Sequence, residues 1–221
     1  MFRAALALAM TSCALTGCAA RTPRPVVTVE TVAQPTGWRA IASASDQQQI
    51  DALPATWARA LAAVPRRAQA KLRAETKLVE PAAALELPAP PPGPYRCRLV
   101  RFGGRAGIAT FAPDFCYVDG GEKGVSFTKQ TGSNLPGGWL HLDTATRQVF
   151  LGSLRPAGAS GAAAYGDDAA QDVAGVVERV SPFRWRLVLT RAGKGALLDV
   201  YELVPVPPEV PGATPAVPGE K

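Results

Sequence analysis

His141 is the only histidine in 221 residues, so the chain has no two-imidazole metal site and no histidine relay. It sits in Trp139-Leu140-His141-Leu142-Asp143, where alternation puts Trp139, His141 and Asp143 on one face of a strand. As a general base it would need a serine or carboxylate within hydrogen-bond reach. There is no Gly-x-Ser-x-Gly elbow to present a nucleophile. Asp167, Asp168 and Asp172 cluster in a Gly/Ala-rich stretch and could offer oxygens to Ca²⁺, but without the spacing of a calcium loop. Gly103-Gly104 and Gly120-Gly121 lack the following helix and lysine of a phosphate cradle. Ser133 and Asn134, with Gly137-Gly138 and Trp139 close behind, combine polar groups, backbone freedom and an aromatic ring, a mixture suited to contact surfaces. No catalytic set, metal or cofactor is assigned. The candidate binding residues are Ser133, Asn134, Trp139, His141, Asp167 and Asp168.

The cysteines carry more. Met1-Phe2-Arg3 gives a short positive start, and the apolar stretch after it is too short to stay in a bilayer as a span. It runs into Leu15-Thr16-Gly17-Cys18, which resembles a bacterial lipobox. In that chemistry the Cys18 thiol receives a diacylglycerol, and cleavage before it exposes an amine that can take a further acyl chain. At about 0.8 kcal/mol per buried CH₂, several chains make a durable anchor. Residues 1–17 are therefore expected to be a signal peptide, with Cys18 as the lipidated N-terminus. Ala19 and Ala20 are not Asp, the usual inner-membrane retention signal, so the resemblance to Gram-negative lipoproteins implies the outer membrane, facing the periplasm. Cys13 leaves with the signal and Cys18 carries lipid. Cys97 and Cys116 remain, and an oxidising compartment pairs such thiols as a disulfide. A redox pair would instead want Cys-x-x-Cys spacing.

These residues must be positioned by a domain expected at 37–205, after a Pro- and Thr-containing tether at 18–36 and before a Pro-rich tail at 206–221. Helices are expected over 43–80. Ser43 and Ser45-Asp46 offer caps, and Ile50, Leu53, Trp57, Leu61 and Val64 recur at helical spacing. Pro54 either kinks that stripe or opens a second helix. A further helix over Arg66–Lys77 carries Arg66, Arg67, Lys71, Arg73 and Lys77, which reads as a solvated face. Pro88–Pro94 is a stiff connector. From 95 to 204 the period becomes two, as in Arg184-Trp185-Arg186-Leu187-Val188-Leu189, and nine short strands follow without crossover helices. The expected class is α+β: N-terminal helices, then an antiparallel meander closed as a small barrel or strongly curled sheet, with a long loop at Arg155–Asp172.

Composition agrees with one globular domain plus tails: 47% of residues are hydrophobic and 19% charged, and a mean hydropathy of +0.04 is far from that of a multi-span membrane protein. Loss of Arg3 would lower the net charge from +6 to +5, compatible with anionic lipid or an anionic envelope polymer. Export makes nucleic acid an implausible partner. Trp38-Arg39-Ala40-Ile41-Ala42, Tyr95-Arg96-Cys97-Arg98, Thr131-Gly132-Ser133, Phe150-Leu151-Gly152, Tyr165-Gly166-Asp167-Asp168, the run Val173–Arg179 and Trp185-Arg186-Leu187-Val188 together resemble the alphaproteobacterial domain of unknown function 4893, over Trp38 to Pro205. The resemblance implies an envelope protein of similar build and brings no catalytic residues. The helix-then-barrel layout also resembles small periplasmic barrels that inhibit proteases or lysozymes, in architecture alone. The expected function is a non-catalytic binding or structural lipoprotein, with an envelope protein or polymer as partner. The alternative is a hydrolase-like envelope enzyme using His141 or the acidic loop, which requires His141 to meet a serine or carboxylate in a cleft.

Overall fold

The alternating stretches form nine strands in the computed structural model, which describes residues 37–122, 124–156 and 164–207. The expected signal peptide, Cys18, the tether, positions 157–163 of the long loop and the tail from 208 lie outside the described residues. The strands are β1 (Gly93–Gly103), β2 (Gly107–Thr110), β3 (Asp114–Gly121), β4 (Gly124–Lys129), β5 (Leu135–Thr144), β6 (Arg147–Arg155), β7 (Asp172–Ser181), β8 (Arg184–Leu189) and β9 (Ala196–Pro205). All neighbours are antiparallel. β9 pairs back onto β1, from Tyr95 opposite Pro205 to Gly103 opposite Ala196, so eight strands close a barrel. β1 achieves this by serving two neighbours on its other side: Gly93–Cys97 pairs with β3, and Val100–Gly103 with the short β2. Closure removes the open edges of the eight barrel strands, and the four-residue β2 keeps a short outer edge.

Alternation then sorts the side chains. Tyr95, Cys97, Phe127, Phe150, Leu187 and Tyr201 belong to one buried cluster inside the barrel, while Val100, Phe102, Val149, Val176, Val188 and Val200 face outward beneath the helices. An eight-stranded barrel is just wide enough to be filled by its own side chains, and this one is. Cys97 and Cys116 join β1 to β3 as a disulfide within that interior, with Cα atoms 5.9 Å apart. Gly138 and Gly152 face each other across β5 and β6. A Cβ on Gly152 would lie 2.2 Å from the Gly137 carbonyl oxygen and 2.7 Å from the Phe150 ring, so the bare backbone there is what admits Phe150. One end of the barrel is closed by charge. Buried Lys129 pairs with Asp114 at 2.7 Å and donates to the Thr131 and Ser133 carbonyls, and Arg101 grips Asp199 through two bonds of 2.7 Å.

The helices pack on one side. They are α1 (Trp38–Ile41), α2 (Ala44–Asp51), α3 (Leu53–Ala62) and α4 (Gln69–Ala74). Ser43 caps α2 by accepting from the Asp46 amide, and Pro54 lies in the first turn of α3, where its missing N–H costs nothing. Ile50, Leu53, Trp57, Ala60 and Val64 form the buried stripe. Two expectations need correction. The helical region begins earlier than 43, with α1, where the Trp38 indole donates to Asp143 on β5 at 2.8 Å. Arg66–Lys77 is not one helix: a 3-10 turn at Arg66–Ala68 precedes α4, and another at Thr76–Leu78 follows it. The break turns Glu75 inward, where its carboxylate receives two bonds from Arg98 and one from Thr110, and Thr76 takes the left-handed backbone at φ 51°. The five basic residues of that segment are all exposed.

Candidate functional site

The end of the barrel opposite the ion pairs is built differently. Between the helical layer and β1 the chain crosses the barrel mouth as Glu86-Leu87-Pro88-Ala89-Pro90-Pro91-Pro92. Proline fixes φ and removes the amide donor, so this segment is an extended strap that cannot join a ladder. Its few polar groups are tied down. The Leu85 amide donates to the Arg179 carbonyl at 2.8 Å and the Leu87 amide to the Ala145 carbonyl at 3.1 Å. Arg179 returns two bonds from Nε and Nη2 to the Glu86 carbonyl, and the Tyr95 hydroxyl donates to the Pro91 carbonyl at 2.6 Å. Burial pushes the Tyr95 pKa up to about 12, so that donor keeps its proton. Pro88 and Pro90 are buried, whereas Leu87, at φ 58°, leaves its side chain 76% exposed.

The strap leaves two openings, each of about 380 Å³, that share Leu87 and Ala89. One is walled by Pro91, Pro94, Tyr95, Arg179, Phe183, Trp185 and Val206. The other is walled by Glu86, Pro88, Leu142, Thr144 and Gln148. Phe183 at the β7–β8 hairpin is 76% exposed, and Leu142 is likewise open to solvent, so large apolar side chains gather at this rim. Beneath them the polar bookkeeping is incomplete. Trp185 is only 3% exposed, packs edge-on to Tyr95 with centroids 6.3 Å apart, and its Nε1 has no hydrogen-bond partner. Gln148 is 4% exposed and its Oε1 is likewise unpaired. Buried polar atoms are nearly always satisfied, and leaving one unpaired costs about 1–3 kcal/mol. Pro88, which lines the opening with Gln148, has no N–H to offer. Each opening thus joins apolar walls to one residue with an unpaired polar atom, an arrangement suited to binding.

The family model described as Domain of unknown function (DUF4893) matches residues 38–203, from the first turn of α1 to the last residues of β9. The chain belongs to this family. No curated protein and no solved structure matches it. The matched span of the DUF4893 domain includes all of the helical layer, the strap and every wall of both openings except Val206 and Pro205.

The candidate residues read from the sequence lie elsewhere in the DUF4893 domain and do not converge. Ser133 and Asn134 form the β4–β5 turn at the ion-paired end, where the Ser133 carbonyl serves Lys129 and Asn134 sits at φ 52°. Asp167 and Asp168, between β6 and β7 at that same end, fold onto their own loop. Asp167 accepts from the Ala164 amide, and Asp168 accepts from the Ala170 amide and the Gln171 side chain. These bonds hold the Asp168 carboxyl below the usual carboxylate range. Asp172 accepts from the Gly166 amide. Among the described residues no three His, Cys, Asp or Glu side chains are grouped to hold a metal. Trp139 and His141 lie on the outer wall of β5, opposite Leu151 and Val149. Burial pushes the His141 pKa down, and its imidazole has no hydrogen-bond partner among the described residues. The strap residues, Phe183 and Gln148 were not singled out from sequence. The available signals were the apolar Phe183 after Ser181-Pro182 in a turn and the proline run ending at β1. The unpaired state of Trp185 and Gln148 leaves no trace in a sequence.

Proposed function

We propose that this DUF4893 protein is a non-catalytic binding lipoprotein of the cell envelope, held at the outer membrane by acyl chains on Cys18 and presenting the strap end of its barrel to a ligand. The observation that carries the binding reading is the pair of apolar openings at the barrel mouth, each lined by a residue with a buried, unpaired polar atom. The envelope reading is supported by Leu15-Thr16-Gly17-Cys18 and by the Cys97–Cys116 disulfide, a bond that persists in oxidising compartments. A filled interior directs recognition to the rim, where loops vary without unfolding the sheet.

Two experiments test the two halves. Cys18→Ser should leave an uncleaved or soluble species in fractionated cells; unchanged membrane association with normal processing contradicts the anchor. The double variant Leu87→Asp/Phe183→Asp puts charge on the rim without touching the interior. It should abolish whatever cellular phenotype deletion of the gene produces, while His141→Ala leaves that phenotype intact. The reverse pattern in folded proteins would favour the enzyme reading.

A further inference from the structure

We infer that the opening beside Trp185 takes an apolar carboxylate, with Arg179 and Trp185 as the pair that receives the carboxylate group; the inference rests on the binding reading and specifies its ligand. Among the described residues Arg179 is the one charged side chain lining that opening. Three arginines of β1 and β8 meet carboxylates on the helix-covered wall: Arg98 meets Glu75 and Glu202, Arg184 meets Glu202, and Arg186 meets Glu178. Arg179 pairs with none among the described residues. Its Nε and Nη2 spend themselves on one carbonyl oxygen, that of Glu86.

Arg179 and Trp185 are direct cross-strand partners in the β7–β8 register. Side chains so placed stand about 5 Å apart at their Cβ atoms and point to the same face. The opening is therefore lined by a cation and, beside it, by an indole whose buried Nε1 has no acceptor. Its one side-chain hydroxyl, on Tyr95, already donates to the strap. Two donors with net positive charge call for an anion with two acceptor oxygens, and a planar carboxylate fits a guanidinium and a neighbouring N–H together. An alcohol would leave the charge uncompensated, and an ammonium would be repelled. The remaining walls are prolines, Leu87 and Phe183, which fixes the rest of the ligand as hydrocarbon or ring. About 380 Å³ is within the range of pockets that enclose small organic molecules. Glu86 lines the neighbouring opening rather than this one.

Calorimetry with decanoate on the full chain carrying Cys18→Ser, which has no acyl chain of its own to compete, tests the assignment. Saturable one-to-one binding is expected. 1-Decanol should bind at least about tenfold more weakly, a difference of 1.4 kcal/mol. Arg179→Gln should weaken decanoate by about tenfold and Arg179→Lys by less, because the charge stays while the fork is lost. Arg179 also holds the strap, so Trp185→Phe provides an independent arm: an aromatic ring remains, the N–H goes, and decanoate affinity should fall severalfold in a protein whose circular dichroism shows it still folded, with decanol affinity changing less. Absence of saturable decanoate binding overturns the inference, as does equal affinity for decanoate and decanol or for wild type and both variants. Loss of the cellular phenotype in Leu87→Asp/Phe183→Asp without decanoate binding overturns the carboxylate alone and leaves the cleft reading intact.

Discussion

Arg186 occupies the middle of β8 with its side chain fully buried, and every direction around it is engaged. It pairs with Glu178, donates to the carbonyls of Leu78, Glu80 and Pro81, and lies 4.5 Å from the Trp57 ring centroid. One side chain thus bolts the segment between α4 and the strap onto the barrel wall. Removing one partner from a buried pair strands the other charge and several carbonyls. Arg186→Met should therefore cost about 3–5 kcal/mol in urea denaturation, and Arg186→Lys should rescue little because a point charge cannot reach the same carbonyls. His141 gives a second test at this scale. Burial disfavours the imidazolium, so its pKa in the folded protein lies below 6.5. Between that value and 6.5 the unfolded chain binds more protons, and stability falls as pH drops through the window. Denaturation midpoints measured from pH 7.5 to 5 should show this decline in the wild type and a flatter profile in His141→Gln.

At the scale of elements, β1 depends on its disulfide and the β5–β6 pair on facing glycines. The Cys97–Cys116 bond closes a separation of 19 residues, and removing both sulfurs should cost about 3 kcal/mol by the chain-entropy account, read as a lower melting temperature of the double alanine variant. The Gly138–Gly152 contact between β5 and β6 should be less forgiving, because Gly152 is buried against backbone and the Phe150 ring. In Gly152→Ala the new methyl meets backbone 2.2 Å away, which cannot rotate aside, so a loss of about 1–3 kcal/mol or more is expected in the same assay. The strands themselves were legible from sequence because period-two alternation in Arg184–Leu189 and its neighbours records which side of a barrel wall each residue faces. Pro54 marked the α2–α3 boundary for an equally local reason. The break at Thr76 was not legible, because it is imposed by Arg98 and Thr110, partners more than twenty residues away that draw Glu75 inward.

Over the whole molecule the two barrel ends are unlike. One is closed by Lys129–Asp114 and Arg101–Asp199, with Arg155 Nε and Arg191 Nε buried and unpaired nearby, while the other is crossed by prolines over the unpaired Trp185 and Gln148. Alternation along Arg184–Leu189 puts Trp185 on one face with Leu187 and Leu189 but does not expose this asymmetry, since Arg179, Phe183 and the strap converge only when β7 and β8 have paired and the barrel has closed. The acidic loop and His141 drew attention by residue type, yet the folded chain spends the loop carboxylates on its own turn and leaves His141 on an outer wall. The cleft can be examined through the four tryptophan indoles, whose N–H resonances are separately observable. Trp38 donates to Asp143 and Trp57 to the Val79 carbonyl, while Trp139 lies on the outer wall and Trp185 has no acceptor. Titrating decanoate into the ¹⁵N-labelled chain should move the Trp185 indole resonance downfield to a plateau and leave those of Trp38, Trp57 and Trp139 in place. A stationary Trp185 resonance, or a larger shift at Trp139, would contradict a ligand site at the strap end.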